Sequence, residues 1–107
     1  EFRDRWAKIR QGEAVVRSLL SRIPQTTDPE RIATMLEQYG RFRRELQTNV
    51  GRLQAELRNY RRENNNALPE GFAITDGRYT GLRTNGSSVP INPEFPTAEE
   101  LTAQYGQ

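Results

Sequence analysis

Neither cysteine nor histidine occurs anywhere in the 107 residues. The first absence excludes a disulfide framework, a thiol nucleophile and a zinc–thiolate centre. The second removes the side chain that most often moves protons near neutral pH, and with it a common metal ligand. Long apolar runs are missing too. No stretch approaches the roughly 20 residues of a membrane span, and nothing has the order of a secretion signal. The reading is of a soluble chain of unassigned location. Its opening Glu1-Phe2 lacks an initiator Met, as an excised or processed fragment would. Apolar residues make up only 34% and charged residues 28%. So little apolar material favours an elongated or partner-completed structure over a fully closed globule.

Catalytic patterns are equally scarce. There is no phosphate-binding Gly-rich loop, no dinucleotide fingerprint and no cluster of metal-ligand spacing. The carboxylates are scattered, and Glu99-Glu100 are helix neighbours that do not face each other. No catalytic residue, metal site, cofactor or small-molecule substrate is therefore expected, and the chain reads as a non-enzyme. Lysine is nearly absent as well: fifteen of the sixteen basic residues are Arg, the exception being Lys8. The charge is uneven, with 14 Lys/Arg against 9 Asp/Glu in residues 1–63 (net +5) and 2 against 5 in residues 64–107 (net −3).

What is present is helical periodicity. Asp28 precedes Pro29, which pushes it out of the α region and suits it to cap a helix that opens on that proline. Apolar residues then recur at Ile32, Leu36, Tyr39, Leu46, Val50, Leu53, Leu57 and Tyr60, in alternating steps of four and three with Arg43 filling the one vacancy. This is a heptad seam, widened by Met35 and Phe42, and it predicts a helix over about 29–63. Asn64 to Asn66, Pro69 and Gly71 end it. Residues 2–23 carry a matching stripe (Phe2, Trp6, Ile9, Val16, Leu20, Ile23), flanked by Val15 and Leu19 and interrupted at Glu13. Residues 24–28 are a short connection of turn formers, which favours an antiparallel return.

The predicted fold is thus mainly α: an antiparallel two-helix coiled-coil hairpin over 1–63, then a small β-hairpin and extended tail over 64–107. A tight bend makes facing residue numbers total about 55. It sets Trp6 on Val50, Ile9 on Leu46 and Val16 on Tyr39. It also sets Glu13 across from Arg43, an ion pair expected to fix register rather than add stability. Helix 1 then reaches only to about Leu53, leaving Leu57 and Tyr60 for a second copy of the chain, for upstream residues or for the folded-back tail. Self-association is the expectation.

Past the helices the period changes. Asp76-Gly77 and Asn85-Gly86 are hairpin dipeptides, and with Phe72–Thr75, Arg78–Thr84 and Ser87–Ile91 they predict a two- or three-stranded meander. Pro90 to Pro96 is extended, with Phe95 as an anchor. Thr97 and Glu100 form a capping box for a short helix over 98–105, on which Leu101 and Tyr105 share an edge and offer a docking surface. Arg3, Arg5, Arg52, Arg58, Arg61 and Arg62 gather at the open end of the hairpin, where several phosphates could be neutralised. Two functions follow. The first is a protein-association module built on coiled-coil packing and a docking tail, in keeping with a virion or scaffold component of a larger assembly. The alternative is sequence-nonspecific nucleic-acid binding through the arginine-rich end.

Overall fold

The computed structural model describes residues 2–106. The chain runs α1 (Phe2–Arg22), a 3₁₀ turn (Ile23–Gln25), α2 (Pro29–Glu63), β1 (Phe72–Thr75), β2 (Arg78–Leu82), β3 (Ser88–Pro90) and α3 (Ala98–Tyr105). Among the described residues, no helix is long and apolar enough to cross a membrane. The longest dimension, 54 Å, is about the length of the 35-residue α2 at ~1.5 Å per residue.

Both ends of α2 are specified locally. Asp28 is extended (φ −75°, ψ 117°) and its carboxylate accepts from the Glu30 backbone N–H, with Pro29 in the first turn. At the other end Asn65 and Asn66 adopt left-handed φ of 55° and 68°, and the Asn66 N–H returns to the Arg61 carbonyl at 2.8 Å. That six-to-one closure usually falls to Gly at its left-handed residue; here the asparagine run fills it, since Asn tolerates this region best among residues with a Cβ.

The two long helices are antiparallel, but the register differs from the predicted one. Phe2, expected to reach about Leu53, meets Tyr60 with ring centroids 5.6 Å apart. Arg5 pairs with Glu56 at 2.9 Å, and Thr26 Oγ1 lies 3.5 Å from the Met35 sulfur. The cause is the connection. Thr26 and Asp28 are both extended, so residues 26–28 advance about 10 Å at ~3.3 Å per residue before the chain returns. That equals six or seven residues of helix rise, which is the slip observed at Phe2. Leu57 is consequently fully buried, and helix 1 covers helix 2 from about Tyr39 to Tyr60.

The strands form an antiparallel meander in the order β1-β2-β3. Phe72 faces Gly81 and Ile74 faces Tyr79; Gly81 in turn faces Val89. The first turn has positive φ at both Asp76 (54°) and Gly77 (76°), the mirror-image turn that matches strand twist. The second differs: Asn85 is not left-handed, Gly86 is (φ 88°), and Gly86 N–H bonds Arg83 O while Arg83 N–H bonds Ser87 O. This is a three-residue loop closed by a glycine bulge.

A meander this small is marginal alone; it is held by aromatic packing on α1. Trp6, predicted to lie against Val50, stands edge-on to Phe72 (5.8 Å, 89°) and fills the space above Gly81, where a Cβ would come within 2.8 Å of the indole. Phe72 also meets Phe2 at 6.2 Å. The remainder of the tail, predicted to be extended with Phe95 as an anchor, docks on the hairpin of its own chain. Residues 91–96 lie along the helical pair, and α3, with its capping box intact, packs on α2 so closely that a Cβ at Gly40 would stand 3.3 Å from Ala98. Ile91 and Leu101 join the same buried cluster as Ile9, Val16, Tyr39, Leu46 and Leu53.

Candidate functional site

Beyond β3, which ends at Pro90, Pro93 and Pro96 keep residues 91–96 from continuing as a strand, so their carbonyls need donors from elsewhere. The helices supply them. Arg10 Nη2 donates to Ile91 O at 2.8 Å, Tyr39 Oη to Pro96 O at 2.6 Å and Arg43 Nη2 to Phe95 O at 3.3 Å. Gln47 Nε2 reaches Asn92 Oδ1 at 3.1 Å. Burial pushes the Tyr39 phenol above its ordinary pKa, against the opposing charge of Arg43; a neutral hydroxyl that donates is the form this site wants.

The expected Glu13–Arg43 pair is replaced by another arrangement. Glu13 is buried, and its two carboxylate oxygens are taken by Arg10 at 3.0 Å and Arg17 at 2.8 Å on its own helix. Arg43 turns to the tail instead. The predicted alignment depended on a tight bend, and a bonding i,i+3 or i,i+4 partner was always nearer than one across the groove. Arg10 also stacks on the Trp6 ring at 4.4 Å, and Arg17 lies 5.1 Å over Phe95. Burial, the largest influence, lowers the Arg10 pKa; Glu13 opposes it, while Arg83 and Arg17 add to it. The two charged interruptions of the heptad stripes thus serve one purpose, fastening the tail.

The residues predicted to bind a partner are largely occupied within the chain. Leu57 and Leu101 are buried, Tyr60 packs on Phe2, Phe95 sits under Arg17, and Tyr105 is partly buried against the core. Tyr60 takes its neighbour from helix 1 through the shifted register, and Phe95 meets Arg17 as the tail folds back. Of the six arginines predicted to contact phosphates, Arg5 is held by Glu56 and Arg61 Nη1 approaches the Tyr79 hydroxyl at 3.5 Å. Arg3, Arg52, Arg58 and Arg62 are exposed and, among the described residues, join no ion pair.

Two of the open surfaces carry exposed apolar or cationic side chains. On one flank of the helical pair Val15 (42% exposed) and Phe42 (38%) border a shared depression with Leu19, Ala14 and Gln38. On another side a groove runs along α1 beneath the β2–β3 turn, lined by Trp6, Ala7, Arg83 and Thr84 along its length. Sequence reading noted Val15 and Phe42 only as residues widening their stripes, and gave Arg83 no role. Among the described residues no group of three or more acidic side chains is placed to hold a metal. No protein-family model, curated protein or solved structure matches the chain.

Proposed function

We propose that the chain is a non-enzymatic protein-association module whose two long helices pack in coiled-coil manner and whose open flank, centred on Val15 and Phe42, is covered by a second copy. The observation carrying this reading is the pair of large apolar side chains exposed side by side on the two long helices. Burying the two-fifths of each that is still exposed is worth about 0.6–1.2 kcal/mol, and a two-fold axis through the depression would bury both from each copy at once. The heptad residues Leu36, Tyr39, Leu46, Val50, Leu53 and Leu57 are all buried, which supports coiled-coil packing within the pair. The tail fastens the hairpin and leaves association to the flank. Sedimentation velocity across a wide concentration range tests this. Concentration-dependent dimerisation lost in Phe42→Ser supports the reading; a monomer throughout, with Phe42→Ser indistinguishable, removes it.

The arginine-rich end supports a second reading, sequence-nonspecific nucleic-acid binding, through Arg3, Arg52, Arg58 and Arg62, which are exposed and, among the described residues, in no ion pair. Filter binding at low and moderate salt separates the two. Phosphate contacts would give retention that falls steeply as salt rises, and weakens uniformly when Arg58 and Arg62 are replaced by Ala.

A further inference from the structure

We propose that the groove along α1, beneath the turn joining β2 and β3, binds an extended acidic peptide segment carrying an apolar residue. Two contiguous clefts make up this groove and share Trp6, Ala7, Arg83 and Thr84. The first, about 560 Å³, is walled by Phe2, Phe72 and Leu82. Leu82, 52% exposed, is the most exposed large apolar residue of the chain's described part. An apolar side chain seated there would bury it against aromatic rings.

Charge selects the rest of the ligand. Four arginines line the groove (Arg3, Arg10, Arg17, Arg83) against two glutamates, Glu13 and Glu70. Glu13 is already bonded by two of the arginines. Arg3 and Arg83 are exposed and, among the described residues, in no ion pair; Arg17 is 63% exposed despite its contact with Glu13. Arg83 and Arg17 both repel the partly buried Arg10. An incoming carboxylate would relieve that repulsion and accept charge-assisted hydrogen bonds.

Length agrees as well. From Arg3 to Arg17 the helix rises about 21 Å, which about six extended residues span. Arg3, Arg10 and Arg17 recur every seven residues, about 10.5 Å, close to the ~9.3 Å between every third residue of an extended polyproline-II segment, whose three-residue turn keeps those positions on one face. Nucleic acid fits less well, because base stacking needs a free ring face. Trp6 is covered by the Arg10 guanidinium and by Gly81, with Phe72 at its edge, and Phe2 packs on Tyr60 and Phe72.

Trp6 is the sole tryptophan and lines both clefts, so its fluorescence reports occupancy. A short poly-glutamate peptide with one central leucine is titrated into the whole chain, with poly-lysine and oligothymidylate in parallel. The expected result is a saturable change with the acidic peptide alone, weakened by salt. Arg83→Glu and, separately, Arg3→Glu lower the affinity about tenfold or more, with helicity by circular dichroism unchanged. Arg58→Glu, outside the groove, leaves it intact. No saturable response overturns the proposal, as does undiminished affinity in both groove variants. Oligothymidylate that binds more tightly than the peptide also overturns it. The Val15–Phe42 flank plays no part, so this outcome is independent of the oligomeric state.

Discussion

Replacing Glu13 by Gln tests the clamp that joins tail to hairpin. The substitution keeps shape and removes charge, so Arg10 loses its counterion while remaining only 17% exposed. Breaking a fully buried ion pair costs about 3–5 kcal/mol. Arg10 keeps its bond to Ile91 O and its seat on Trp6, which reduces that figure. Arg17 is 63% exposed, so its share is small. The expected destabilisation is about 2 kcal/mol, or roughly 10 °C in Tm for a chain of this size. Urea denaturation of Glu13→Gln, Arg10→Gln, Arg43→Gln and the corresponding double variants measures it. Coupling between Glu13 and Arg10 should reach about 1 kcal/mol or more, and that between Glu13 and Arg43 should stay below about 0.5 kcal/mol. A larger coupling for Glu13 with Arg43 than with Arg10 would refute the pairing described here and restore the cross-hairpin register.

Gly81→Ala should destabilise by about 1–2 kcal/mol, since overpacking a filled site outweighs the entropic gain of losing a glycine; the new Cβ would sit 2.8 Å from Trp6. Thermal melts followed by Trp6 emission check this, with a red shift expected as the indole moves toward the groove, and a neutral or stabilised variant disproves the contact. The Tyr39 phenol, raised by burial, is favoured neutral in the folded state. Its stabilising effect is complete below the ordinary tyrosine value near ~10 and is lost as pH rises from there through the folded value. Tyr39→Phe should start less stable by about 1 kcal/mol, lacking the bond to Pro96 O, and should lose stability less steeply in alkaline titration. An equally steep decline would assign the alkaline loss to another tyrosine.

Local chemistry alone decided much of this protein. Asp28-Pro29 and the asparagine run delimit α2, Asp76-Gly77 dictates a mirror-image turn, and Thr97 with Glu100 starts α3. Each needs only neighbours within a few residues, so each was readable from the chain. Heptad spacing likewise marked Leu36, Tyr39, Leu46, Val50, Leu53 and Leu57, all of them buried.

The tertiary structure decided which surfaces meet. Three extended residues in the connection moved the helical register by nearly two turns, an effect invisible to periodicity because period is unchanged by a slip. Glu13 and Arg43 were rightly singled out as charges in an apolar stripe, yet their partners depended on where the tail lay. That position follows from a balance no single segment carries: proline-rich backbone seeking donors, and helices with Arg10, Tyr39 and Arg43 able to give them. Burial was written in each stripe; the identity of what covers it was settled only when the whole chain closed on itself.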